Sequence, residues 1–152
     1  MMKQIKNLVP EFWCSDFEES LSFYIKVLGF EVVQRRGSSF HAYLELEGAQ
    51  IMLASWEQDG TWETAEFTKP FGRGLNFQIL IVDAQDLYDR ILAKGIKPFV
   101  EIYTKDYWRV DRMDERKEFA VLDPDGYLLR FSQIVSHRPI EQSDLDKLDN
   151  NS

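Results

Sequence analysis

Residues 119–131 read FAVLDPDGYLLRF. Apolar runs flank Asp123-Pro124-Asp125-Gly126, which predicts two strands joined by a tight turn. Proline presets φ in such a turn and glycine accepts a positive φ. The second strand carries Arg130 in a run that otherwise reads as buried. A charge there needs a partner, because an unpaired buried charge is costly. Where that partner comes from depends on the rest of the chain.

Upstream of the hairpin, GLNFQILIV predicts a strand. Asp83 then caps a helix, DAQDLYDRILAKG, with Leu87, Ile91 and Leu92 on one face and Gly95 at its end. KPFVEIY, KEFAVLD and GYLLRFSQIV follow as strands. The first half has the same order. KNLVPEFWC reads as a strand interrupted by Pro10, and Asp16 with Glu19 opens a helix in the manner of a capping box. Leu21, Tyr24, Ile25 and Leu28 recur at helical spacing, and Gly29 stops the helix. EVVQRR, FHAYLELEG and AQIMLASW read as three strands. Gly48 turns the last two, and Phe40, Ala42, Leu44 and Leu46 alternate onto one face.

The helix starts at Asp16 and Asp83 lie 67 residues apart, and the stops at Gly29 and Gly95 lie 66 apart. A repeat at that period implies two similar modules. The expected fold is therefore α+β, two β-α-β-β-β modules forming a cupped mixed sheet. One domain spans residues 1–135, with module one at 5–56, a connection at 57–73 and module two at 74–135. A polar, acidic tail at 136–152 is expected to fray, although Leu145 and Leu148 would support a short helix. The connection holds Gly, Pro, charges and tryptophan without a period. Its length favours a functional loop over a passive one.

The net charge is −8, which disfavours nucleic acid as a partner and favours cationic small molecules. Aromatic residues make up 14% of the chain, enough for a core of large rings, a ring-lined pocket, or both. The single cysteine, Cys14, allows no intrachain disulfide and sits in an apolar run, where a thiol is buried and inert. The N-terminal residues do not read as a signal, and no segment reads as a membrane span. A cytoplasmic protein is expected.

The helix-to-strand motif SLSFYIKVLGFEV and the hairpin DPDGYLLRF resemble the vicinal oxygen chelate superfamily over roughly residues 5–135. That superfamily includes glyoxalase I, extradiol dioxygenases and bleomycin resistance proteins. FGRGLNFQI and LVPEFWCSD are most similar to the last group. The resemblance implies a homodimer with N-terminal strand exchange that confers antibiotic resistance by sequestering the drug between subunits.

Metalloenzymes of the superfamily hold a divalent ion with four side chains. By resemblance, those positions fall on Val9, Met52, Phe77 and Arg130, with Glu11 and Gln78 as substitutes if Val9 and Phe77 are misplaced. Neither Met52 nor Arg130 suits a hard or borderline cation. No metal and no cofactor is expected, and no catalytic residue. If Arg130 points inward, Glu11 is a candidate partner; the alternative is that strand twist turns it to solvent. The histidines are His41, read as a surface or pocket-edge residue, and His137 in the tail. Ser38 and Ser39 beside His41 lack the orienting carboxylate of a triad.

The expected ligand is planar or cationic, such as bleomycin. Its site is expected to include Phe40, Tyr43, Met52, Trp56, Trp62, Phe77, Trp108 and Arg130. Rings stack on flat ligands, and Glu45, Glu47, Glu57, Asp59 and Glu63 would draw a cationic tail. Trp13 alternates within a strand and is expected to serve packing. The alternative functions are a metal-dependent glyoxalase or dioxygenase-type enzyme, and a binder of another planar aromatic metabolite.

Overall fold

The computed structural model describes residues 4–35, 40–56 and 62–149. Asp16 caps helix α1 by accepting a hydrogen bond from the Glu19 amide at 2.9 Å. The helix runs Phe17–Ser22 and continues as a wider, π-type turn over Phe23–Leu28. Asp83 caps α2, Ala84–Ala93, in the same way through the Asp86 amide at 3.0 Å. Capping of this kind satisfies amides that the helix leaves unpaired. The buried stripe of α2 is Ala84, Leu87, Tyr88 and Ile91. Leu92, expected on that stripe, is 45% exposed, because the helical repeat places it about a quarter turn from the centre of the stripe.

The strands form two four-stranded mixed sheets. β1 (Glu11–Cys14), β2 (Glu31–Arg35), β3 (His41–Leu46) and β4 (Ala49–Ser55) lie in the order β1-β4-β3-β2. β5 (Asn76–Leu80), β6 (Val100–Trp108), β7 (Met113–Leu122) and β8 (Leu128–Arg138) lie in the matching order β5-β8-β7-β6. The repeat read from the helix caps is thus a repeat of sheet topology. β1 begins after Pro10, which has no amide to offer a ladder. The β6–β8 ladder is longer than expected and reaches Trp108 and Arg138. Beyond it, Gln142–Asp149 form helix α3, tied back by Arg138 to Asp144 at 2.6 Å.

Both sheets bury the side facing α1 and α2 around one core. Phe12 is central to it: its ring lies 4.4 Å from Tyr127 and 4.5 Å from Phe77, and contacts Tyr24 at 6.3 Å. Cys14 is 1% exposed in the same core, and burial pushes its thiol up to about 12. Such a thiol is inert at neutral pH.

The DPDG turn is where the halves meet. Gly126 has φ +93°, and a Cβ there would lie 2.4 Å from the Cβ of Pro70. Only glycine fits. Asp123 accepts from the amides of Asp125 and Tyr127, at 3.0 and 2.8 Å, and from the Tyr24 hydroxyl at 2.9 Å. Burial outweighs these bonds and pushes Asp123 up to about 6.

A carboxyl raised on folding contributes stability that is fully present below its unfolded pKa and lost as pH rises through the folded one. Wild type should therefore gain on Asp123→Asn by about 2 kcal/mol between pH 7 and pH 4. Urea midpoints of both proteins across that range check this; a constant difference would refute it.

Candidate functional site

Strand alternation sorts each residue to the helix side or the opposite side of its sheet. In β1, Phe12 and Cys14 are buried on the helix side, so Glu11 and Trp13 face the other way. Trp13, expected to serve packing, instead lines a cleft of about 590 Å³ on that opposite side. The other wall is the segment after residue 61, with Trp62, Glu63, Glu66, Phe67 and Arg73. Its rings are ordered: Phe67 stacks on Phe71 at 3.9 Å and meets Trp13 at 5.3 Å and Trp56 at 5.4 Å. The Trp56 N–H donates to Glu63 at 2.9 Å, and the Trp13 N–H to Glu11 at 3.2 Å. Trp62 is 76% exposed at the rim of the cleft. The connection between modules is thus the wall of the cleft.

Glu11, Met52 and Tyr43 stand in one row across β1, β4 and β3. His41 lies beside the row, 3.4 Å from Glu11, with its Nδ1 buried and without a partner. Phe40 sits at the other end of the helix side, edge-on to Phe17 at 5.8 Å. Trp108 ends edge strand β6, paired with Met113. Neither lines the cleft. Of the acidic residues, Glu63 does. Glu45 accepts from the Gln50 amide at 2.8 Å, and Glu47 from the Val82 amide at 2.6 Å. Ser38, Ser39, Glu57 and Asp59 lie outside the described residues.

In the second sheet, Phe77 packs into the core against Phe12, and Gln78 is the residue level with Arg130. The Arg130 guanidinium donates to the side-chain oxygen, Oε1, of Gln78. Glu118, on neighbouring β7, is 1% exposed and accepts from Tyr103 at 2.8 Å and from Tyr107. Burial works to raise its pKa, but the hydroxyls of Tyr107, Ser132 and Tyr103, with a smaller influence from the Arg130 charge, outweigh burial and hold it below the usual value. The side-chain partner of Arg130 is thus Gln78 and not Glu11, and its charge acts on Glu118 only as the smallest of the influences that lower that carboxyl. Glu118 escaped the sequence reading because it begins a strand, KEFAVLD, in a polar stretch.

The four positions that hold a metal in superfamily enzymes do not fit one here. Val9 precedes β1, Phe77 is in the core, Met52 offers no oxygen or nitrogen, and Arg130 is a cation. Glu11 and Gln78, which stand on the opposite side to the helices, would add two oxygen donors but leave Met52 and the Arg130 cation in the set. Among the described residues, no three His, Cys, Asp or Glu side chains gather into a metal-binding group. No helix of the described residues is long and apolar enough to cross a membrane.

Two sheets of this topology, related by an internal repeat, define a two-module α+β fold. The family model of the Glyoxalase/Bleomycin resistance protein/Dioxygenase superfamily matches residues 7–131, and the chain belongs to that superfamily. It is 28% identical over 137 residues to a bleomycin resistance protein of Geobacillus stearothermophilus, covering 84% of this chain and 96% of that one. A bleomycin resistance protein of Staphylococcus aureus matches to the same extent. Among solved structures, TioX from Micromonospora sp. ML1 matches with a TM-score of 0.65 at 18% identity, over 86% of this chain and all of that one. Identity that low shows the fold alone.

Proposed function

We propose that this chain is a binding protein that sequesters bleomycin-type glycopeptide antibiotics and performs no catalysis. The observation that carries this reading is the cleft between β1 and the intermodule segment. Trp13, Trp62 and Phe67 offer flat faces, and three carboxylates, Glu11, Glu63 and Glu66, stand against one guanidinium, Arg73. Rings take a planar heteroaromatic group, and the excess negative charge takes a cationic tail. The similarity to two bleomycin resistance proteins supports the choice of ligand. The unsuitable set at Met52 and Arg130 supports binding over metal-assisted chemistry.

A homodimer belongs to the same proposal. A second copy would complete a larger site by bringing the Glu11–Met52 pair of one sheet to the Gln78–Arg130 pair of the other. Leu75, Leu80 and Val82, at 60%, 49% and 77% exposed, mark apolar surface along β5 that such a contact would cover.

Calorimetric titration with metal-free and copper-bound bleomycin tests the reading. Saturable binding with a change in tryptophan fluorescence is expected. Trp62→Ala should raise the dissociation constant about tenfold, because it removes a stacking face and its area. Its thermal stability should stay near wild type, since the ring is mostly in solvent. An unchanged constant would remove Trp62 from the site. No binding by folded wild type would overturn bleomycin as the ligand and turn the search to other planar cations.

A further inference from the structure

The tip of the β6–β7 hairpin gathers charge that its own side chains do not balance. Asp114 is completely buried there. Its Oδ1 accepts from Arg112 Nε at 3.0 Å and from His137 Nδ1 at 2.8 Å. Its Oδ2 accepts from Arg109 Nε at 3.0 Å and from Arg116 Nη2 at 3.4 Å. An ionised carboxylate has about four acceptor positions, so this one is full. Burial works to raise its pKa, but the bonds from Arg112, His137, Arg109 and Arg116 outweigh burial and hold it well below the usual carboxylate range.

One carboxylate answers the charge of one guanidinium, and buried Arg116 supplies that one. Arg109 and Arg112 flank the turn, where the Arg109 amide donates to the Arg112 carbonyl at 2.8 Å. Both side chains are about half exposed. Each spends its Nε on Asp114, and their terminal nitrogens make no hydrogen bond among the described residues. Strand alternation keeps other acids away. Tyr107 and Lys105, level with Asp114 and Arg116, share the side away from α1 and α2, whereas Asp106 and Glu115 take the opposite side. Glu118 is occupied by Tyr103 and Tyr107. Exposed Asp111 lies 3.8 Å from Arg112, and Lys105 offsets its charge. Three guanidiniums less one carboxylate therefore leave two positive charges at this tip, on a chain whose net charge is −8.

We propose that the hairpin tip is a second binding site, for a phosphate monoester held by the terminal nitrogens of Arg109 and Arg112. Guanidinium forks match phosphate oxygens, and a dianion matches the excess charge. A carboxylate ligand would answer half of that excess. A cation is excluded, because Asp114 has no acceptor position left to offer it. Asp114 is a positioning residue: it fixes each guanidinium through Nε and leaves the terminal edge for the ligand. The half-exposed arginines keep the site open, so the remaining phosphate oxygen has room to carry the rest of a molecule. None of these residues lines the aromatic cleft, and the site stands whatever that cleft binds.

The test is titration of the full-length, isotope-labelled protein with methyl phosphate at constant ionic strength, followed through backbone amide resonances. At pH 8 a phosphate monoester is a dianion. Saturable shifts centred on Arg109, Arg112, Asp114 and His137 are expected. Acetate and chloride, as monoanions, should each bind about tenfold more weakly or worse, for want of one charge-assisted hydrogen bond or more. Inorganic phosphate should bind as tightly as methyl phosphate, because the methyl group lies outside the contact. A strong preference for inorganic phosphate would overturn the ester and assign the site to the free ion. Arg112→Gln leaves Asp114 its bonds to Arg109, Arg116 and His137, and should weaken methyl phosphate about tenfold, as expected for one such bond. Asp114→Asn sets positioning against bare charge. It removes an anion from the tip but releases the forks, so it should bind no more tightly than wild type. Tighter binding by that variant would overturn the proposal; if it does not fold, Arg112→Gln decides, and an unchanged constant there would overturn it. Equal shifts with acetate or chloride would reduce the tip to ionic screening, and no saturable shift would leave the arginines to water; either result overturns the site.

Discussion

Asp125→Ala is expected to lower the stability of the fold by about 3–5 kcal/mol, the range for breaking a buried, paired charge. Asp125 is 1% exposed. Its oxygens accept from the Ser15 amide at 3.2 Å, the Ser15 hydroxyl at 2.6 Å and the Ser20 hydroxyl at 3.2 Å. Lys69 reaches it at 2.9 Å from the intermodule segment. One carboxylate thus joins the β1–α1 junction, the connection and the final hairpin. Alanine leaves the Ser15 amide and two hydroxyls in a space closed to protein partners. Asparagine keeps one oxygen acceptor and loses mainly the Lys69 pair. Lys69 is half exposed, so that pair contributes little, and Asp125→Asn should cost about 1–2 kcal/mol. Urea midpoints for the two variants measure both numbers. An alanine loss below about 1 kcal/mol would mean that the modules are held by the rings of Phe12, Tyr127 and Phe77 without help from the turn.

The same turn shows what the sequence could and could not disclose. Asp-Pro-Asp-Gly is local chemistry, so its turn was legible, as were the helix caps at Asp16 and Asp83. The serine partners of Asp125 lie 105 and 110 residues away, and nothing local to them names it. Beyond Tyr103 both strands carry charged residues on either side, so no apolar alternation marks them, although their ladder pairs Thr104 with Lys117 and Asp106 with Glu115. Phe77 and Gln78 illustrate the period of two. Shifting a strand by a single residue exchanges its sides: the position counted onto Phe77 falls in the core against Phe12, and its neighbour Gln78 stands level with Arg130 on the other face. Trp13 is the reverse case. Its alternation with Phe12 and Cys14 was visible, but the side that α1 would cover was not, and a residue assigned to packing lines the cleft.

Arg130→Glu carries the second large effect and addresses the oldest question the hairpin raises. The substitution restores the type of residue that superfamily enzymes use at this place. The surroundings are wrong for it. Glu118 is buried, is held ionised in part by the Arg130 charge, and would face a second carboxylate on the adjacent strand. Removing the cation while adding a like charge should cost about 3 kcal/mol or more, as for a buried charge left uncompensated. Arg130→Gln removes the cation without adding an anion and should cost less. Neither variant should take up zinc or nickel tightly, because Met52 supplies no donor for such an ion and Phe77 stays in the core. Urea denaturation with metal titration of both variants tests each half of the expectation. Tight one-to-one uptake by a folded Arg130→Glu protein would show that Glu11, Gln78 and the new carboxylate suffice as a metal site, and that the arginine is the single change separating this chain from its metal-binding relatives. A glutamate variant as stable as wild type, and no tighter for metal, would instead detach Glu118 from Arg130 and leave the tyrosine hydroxyls alone to hold that carboxylate.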